Sequence, residues 1–302
     1  MTRRDSKLKI GIILITGLAG AILANLTDMR FPISELTAPV AVVVCLGPCA
    51  VFYQKRKTSQ FVLPLLAVMH ILVFTACFTL LMYATAALSM PLVDEQLAAV
   101  DRWFHVYVPD IVSWAVEHPL IAGILWWSYH TVLPQTLFLV IGLGFADDRE
   151  QLELFVLRFM VALLITVSIF ALAPAEGPFV HYDIQTSPAQ QRYLEHLTTL
   201  RSGARTELQL QDSEGLVTFP SFHTTWAILL AAAVWHRRRI FLPVCLLNLC
   251  VIAATMTTGW HYFSDVLGGI LVGAIVIALT RRLYPWLNSS SVEPVDGIRA
   301  PT

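Results

Sequence analysis

Two short segments carry the residues that could do chemistry: Phe219-Pro220-Ser221-Phe222-His223 and Gly259-Trp260-His261-Tyr262-Phe263-Ser264-Asp265. His261 and Asp265 are four positions apart, a spacing that puts both on one face of a helix. A carboxylate placed there can accept the Nδ1 proton of the imidazole. That fixes the tautomer, aims Nε2 outward and stabilises the imidazolium. His223 opens another apolar stretch, and Ser221 and Pro220 ahead of it suit the start of a helix. A helix N-terminus at that point also favours an anion. Two histidines, one of them oriented by a carboxylate, can divide the work of displacement at phosphorus. One attacks, and the other protonates the leaving oxygen.

Each motif is weak by itself. Pro-Ser-x-His also reads as a helix cap, and His-x-x-x-Asp is a common pairing. Their weight comes from the combination of order, shared membrane face and the single hairpin between them. Ionisable groups also rarely sit at membrane spans without a function. His223, His261 and Asp265 could together hold a metal, but the sequence offers no obvious further ligand. Neither a metal nor a cofactor is expected, although Glu176 and Asp183 in the neighbouring loop keep the metal question open.

The elements that must position these residues are membrane spans. The chain has 302 residues, 56% hydrophobic and 14% charged, whereas a soluble domain is nearer a quarter charged. Net charge is −1, so nothing draws the protein to nucleic acid. Eight apolar blocks are long enough to suggest an all-α integral membrane protein: roughly 10–27, 37–53, 61–88, 119–145, 154–174, 222–236, 240–258 and 264–284. Cys45, Cys49, Cys77, Cys245 and Cys250 all fall inside these blocks. Such cysteines read as small buried hydrophobes, without a disulfide.

Charge orients the spans. Arg3, Arg4, Lys7 and Lys9 precede the first, Lys55 to Lys57 follow the second, Arg237 to Arg239 follow the sixth, and Arg281 and Arg282 close the eighth. The positive-inside rule then puts both termini and all these clusters in the cytoplasm, and both motifs on the opposite face. The Asp147–Glu150 loop has too little charge bias to vote. Residues 89–118, with Leu97, Val100, Trp103 and Phe104 among Asp94, Glu95, Asp101 and Arg102, suit a helix lying on the membrane surface. Residues 175–221 form a long polar loop over the motifs, and such loops are more often functional than not. Within the spans, His70 suits packing, Arg158 can snorkel to the cytoplasmic boundary, and Gly269 with Gly273 marks a close helix contact. The tail beyond Leu287 is rich in Ser and Pro and is expected to be disordered.

Pro-Ser-x-His, a hairpin, then His-x-x-x-Asp resembles the second and third signature motifs of the type 2 phosphatidic acid phosphatase (PAP2) superfamily. The variants Phe219-Pro-Ser-Phe-His223 and His261-Tyr-Phe-Ser-Asp-Val-Leu-Gly-Gly269 are most similar to its inositol phosphorylceramide synthase branch. Ala173-Pro174-Ala175-Glu176-Gly177-Pro178 and Tyr129-His130-Thr131-Val132-Leu133-Pro134-Gln135 also look like segments of that branch. The resemblance covers about residues 95–285. It implies a six-helix core within a catalytic membrane domain at 61–287, two added helices at 1–60, and a tail at 288–302. It also implies that His261 is the nucleophile, Asp265 its orienter, and His223 the acid and then the base. Ser221, Tyr129, His130, Gln135, Arg201, Arg205 and Tyr262 become candidate substrate contacts.

Two departures bear on the reaction. The superfamily's first motif, Lys-x6-Arg-Pro, is missing near the end of the fifth span, and Thr255 stands where the third motif usually has Arg. The usual phosphate-clamping cations are therefore absent, as the synthase branch would have it. The expected partners are membrane lipids: a phospholipid donor, with a lipid alcohol or water as acceptor. The leading reading is a lipid phosphotransferase working through phosphohistidine. A lipid phosphate phosphatase would use the same residues with water as acceptor. A transporter relaying protons would need ionisable groups deep in several spans and broken helices in paired repeats, and the sequence has neither.

Overall fold

A computed structural model describes residues 3–210 and 213–288. Every apolar block is helical, because a backbone in lipid must satisfy its own hydrogen bonds. In chain order the helices are α1 (Arg3–Leu26), α2 (Thr37–Lys55), α3 (Ser59–Ala86), α4 (Asp94–Trp103), α5 (Val108–Glu117), α6 (Pro119–Tyr129), α7 (Val132–Phe145), α8 (Arg149–Leu172), α9 (Pro178–His181), α10 (Pro188–Arg201), α11 (Phe222–Ala233), α12 (Arg238–Thr257) and α13 (Phe263–Asn288). Among the described residues, six helices are long and apolar enough to cross a membrane: α1, α2 (with the short turn before it), α3, α8, α12 and α13. The other two expected spans coincide with the shorter apolar helices Val132–Phe145 and Phe222–Ala233. The protein is a multi-pass integral membrane protein.

α8 is the central post. Phe155, Phe159, Met160, Ala162 and Phe170 along it are buried in one core with residues of α3, α11 and α13. α1 and α2 pack on the outer side of α3. α11, α12 and α13 form an up-down-up unit, so the starts of α11 and α13, with their histidines, lie at the same end. The opposite end carries the basic turn after α11. There His236 Nε2 and Arg237 Nη2 each lie 2.8 Å from Asp148 Oδ2, in the α7–α8 turn. The loop whose charge did not vote is thus tied to the basic end.

Several sequence expectations change. The five cysteines are not buried: Cys45 and Cys49 are exposed, and Cys77, Cys245 and Cys250 are half-buried. The continuous span 119–145 is two helices, interrupted at His130 and Thr131. Pro134 explains the break: it has no N–H for the His130 carbonyl, and its ring crowds that carbonyl. Likewise Pro119 ends α5 at His118, and α5 and α6 meet at 113°. The surface segment is therefore two short helices, α4 and α5, rather than one. Arg158 does not snorkel: it is 3% exposed and donates from Nε to Thr280 Oγ1 at 3.0 Å. His70 packs as expected, with Nδ1 2.6 Å from the Leu66 carbonyl. The expected disordered tail lies outside the described residues.

Candidate active site

α11 and α13 meet through glycine. A Cβ at Gly269 would collide with the Ser221 carbonyl oxygen and sit 2.8 Å from Thr224 Cβ, so only glycine admits this approach. Thr225 Oγ1 bridges the gap by donating to the Gly269 carbonyl at 2.9 Å. Ser221 is fully buried. Its hydroxyl accepts the Thr224 amide at 3.3 Å as the cap of α11, and its own amide donates to the Asp265 carbonyl at 3.0 Å. The two motifs are one hydrogen-bonded unit, with the rings of His223 and His261 6.4 Å apart, centroid to centroid.

Each imidazole is held at Nδ1. His261 Nδ1 is 3.0 Å from Asp265 Oδ2, and the same oxygen accepts the Tyr262 amide at 2.9 Å. His261 is 4% exposed and Asp265 fully buried. Burial lowers the pKa of the His261 imidazole, while the Thr218 carbonyl beside the ring favours its protonated form. His223 stacks on Tyr129 with centroids 4.3 Å apart, and its Nδ1 is 3.3 Å from the Tyr129 hydroxyl. Nδ1 of each ring thus has a fixed partner, Asp265 for His261 and Tyr129 for His223.

The other candidates divide. Tyr129 is in the site. His130 packs edge-on against Tyr129 and Trp126 and is exposed. Gln135 bonds to its neighbours: Nε2 donates to Thr131 Oγ1 and Oε1 accepts from Asn248 Nδ2, both at 2.8 Å. It joins α7 to α12 and lines an apolar cavity of about 280 Å³ that reaches down to Arg237. Tyr262 is buried, with its hydroxyl donating to Asp94 Oδ1 at 3.1 Å. Arg201 lies at the end of α10, where its charge acts on Glu176. Arg205 follows in a strand-like segment: the Thr206 carbonyl accepts the Arg30 amide and the Leu208 amide donates to the Arg30 carbonyl. Among the described residues neither guanidinium bonds to a residue of the histidine pair.

Sequence reasoning expected a helix in the region of α4 but missed its part in this site. Its carboxylates Asp94 and Asp101 read as the wet face of a surface helix, yet Asp101 is fully buried and Asp94 is 9% exposed. Asp101 accepts the amides of Phe263 and Ser264, both at 2.8 Å, at the start of α13. Burial raises the Asp101 pKa, and these amides oppose the rise. Asp94 accepts the amides of Glu176 at 3.0 Å and Gly177 at 2.9 Å. Gly177 has φ +107°, and its Cα approaches the Trp260 carbonyl so closely that a Cβ would stand 3.2 Å from it. Burial and the Asp94 charge raise the pKa of Glu176. The seven-residue spacing of the two aspartates was the available signal, since it puts both on one side of a helix otherwise read as amphipathic.

Among the described residues, no group of three or more His, Cys, Asp or Glu side chains is arranged to hold a metal ion. No curated protein and no solved structure gives a match to this chain. The PAP2 superfamily model does match, over residues 95–279, a stretch that contains α4 from its second residue on, Tyr129 and both histidine motifs. That match spans more than half of the chain, and the chain belongs to the PAP2 superfamily, whose enzymes are phosphatases or phosphotransferases.

Proposed function

We propose that the protein is a membrane lipid phosphotransferase of the inositol phosphorylceramide synthase type. It would move a phosphate-linked head group to a lipid hydroxyl through a phosphohistidine on His261. One observation carries the reading. Two imidazoles lie side by side with centroids 6.4 Å apart and planes inclined at 57°, each with its Nδ1 already engaged. That spacing suits a phosphorus flanked by an attacking nitrogen at roughly 3 Å and a leaving oxygen within hydrogen-bond reach of the second ring.

In the first half-reaction the His261 Nε2 lone pair attacks phosphorus. The bond to the leaving lipid oxygen breaks, and protonated His223 gives that oxygen its proton. Asp265 stabilises the positive ring that His261 becomes. In the second half, neutral His223 takes the proton of the acceptor hydroxyl. The acceptor oxygen attacks phosphorus, the P–N bond breaks and His261 is regenerated. Because the catalytic pair stands at one level of the bundle, a lipid can present its head group there without leaving the bilayer. The arginine distribution argues that this level is extracytoplasmic and that both termini are cytoplasmic.

The absence of the Lys-x6-Arg-Pro motif, with Thr255 in place of Arg, argues against a doubly charged phosphomonoester. Thr255 is fully buried and its carbonyl accepts the His261 amide at 3.1 Å, so it supports the loop rather than the phosphate. The deciding assay incubates purified protein, in EDTA, with a head-group-labelled phospholipid and a ceramide or diacylglycerol acceptor. A labelled phosphodiester lipid is expected. Release of inorganic phosphate from a phosphomonoester lipid, with no transfer, would make the protein a lipid phosphate phosphatase instead.

A further inference from the structure

α4 is a two-sided helix. On one side Asp94, Leu97, Ala98 and Asp101 are buried, and Leu97 and Ala98 share a small core with Ala175 and Tyr262. Toward its C-terminal end, Val100, Trp103 and Phe104 are 42%, 74% and 43% exposed, the apolar surface a membrane-lying helix presents to lipid. The buried side meets the histidine loop and the Ala175–Gly177 segment. Ser264 Oγ donates to the Leu97 carbonyl at 3.3 Å, and the Tyr262 hydroxyl donates to Asp94.

The first amides of a helix have no partner inside it. At α13 they are shared out between two carboxylates. Asp265 Oδ2 takes the Tyr262 amide, and Asp101 takes those of Phe263 and Ser264. The Asp265 oxygen that holds Tyr262 is also the one that orients His261. A shift of this turn therefore moves the imidazole and its partner together. Asp101 comes from a separate helix, 162 residues away in sequence from Phe263. A buried carboxylate bound by two charge-assisted bonds at a helix N-terminus makes a stiff joint.

We propose that Asp101 is a positioning residue for His261: it fixes the first turn of α13 and thereby the aim of the His261–Asp265 pair. This rests on the phosphotransfer reading for its kinetic test, but not for its chemical one. Misplacement of a catalytic group by about 1 Å can cost on the order of 100-fold in rate.

Three measurements on the detergent-solubilised full chain test it. Asp101→Asn keeps one acceptor but turns an N–H₂ toward a backbone amide. Its kcat should fall about 10- to 100-fold with KM within about twofold. The double variant Asp101→Asn/Asp265→Asn should be no more than about twofold worse than Asp265→Asn, because both act through His261. Additive losses, or a loss confined to KM, would overturn the proposal. Phe263→Pro removes one donor to Asp101 at a helix position that tolerates proline. It should be slower than Phe263→Ala by a similar factor, which keeps the test open if Asp101→Asn does not fold; equal rates would count against the role. Finally, carbethoxylation of His261 by diethyl pyrocarbonate, followed by mass spectrometry, should be several-fold faster in Asp101→Asn or Phe263→Pro than in the parent. Unchanged labelling would refute the positioning role even if the parent protein transfers no lipid head group.

Discussion

Asp265 and Tyr129 make the two histidines different. A carboxylate at Nδ1 favours a ring that becomes positive, as a nucleophile does when it takes up phosphorus. A phenol at Nδ1 orients a ring without a full charge, which suits one that picks up and returns a proton. His261→Ala should abolish turnover, and Asp265→Asn should lower kcat about 100- to 1000-fold, with folded protein retained. Steady-state kinetics beside size-exclusion profiles checks both, and near-normal turnover by His261→Ala would end the mechanism. Tyr129→Phe keeps the stacked ring but removes the hydroxyl, and should cost about tenfold in kcat. A rate equal to the parent's would remove Tyr129 from the site. The His261–Asp265 pairing was legible from the four-residue spacing, but not its form: His261 stands two residues ahead of α13, and Asp265 reaches back over the first turn to meet it. Tyr129 came only from the family resemblance, since nothing local to it names His223 as its partner. Asp101 was not legible: a buried carboxylate and a solvated one look alike until the amides they meet are known.

At the scale of elements, small residues and prolines do most of the shaping. Gly269 admits the Ser221 carbonyl, and so sets how near the two motif helices can come. Gly269→Ala should destabilise the protein by about 3 kcal/mol, because the new methyl must push backbone rather than a flexible side-chain tip. Thermal unfolding in detergent should show a clear drop in Tm together with reduced activity, and an unshifted Tm would contradict the packing described here. The spans were legible from hydropathy, and Gly269 with Gly273 from their spacing. The interruption at His130–Thr131 was overlooked although Pro134 announced it four residues downstream. Hydropathy averages over a window and does not register a missing N–H. The split of 89–118 into α4 and α5 was hidden for a related reason, since apolar periodicity continues across the turn at Phe104–Tyr107.

At the scale of the molecule, one end of the bundle gathers arginines and the other gathers the histidines. Arg237 and His236 bind Asp148 at the first end. Single cysteines at Thr58 and Ser202, both exposed, should therefore behave oppositely in a cysteine-free background. In intact cells an impermeant thiol reagent should label Thr58→Cys only after permeabilisation, and Ser202→Cys before it. The reverse pattern would invert the proposed topology. The class of the molecule was legible because bilayer thickness and the electrostatics of insertion act on composition and order alone. The arrangement around the candidate site was not, because α4 reaches it from more than 150 residues away in sequence.

Trapping the phosphoenzyme is the sharpest test of His261 as the nucleophile. Purified protein is incubated with a phospholipid labelled in its phosphate, quenched, and freed of lipid. The predicted result is a phosphoprotein that is labile in acid and stable in base, absent from His261→Ala, and retained or increased in His223→Ala if that variant can still be charged. Label persisting in His261→Ala, or a phosphoprotein stable in acid, would rule out a phosphohistidine at His261.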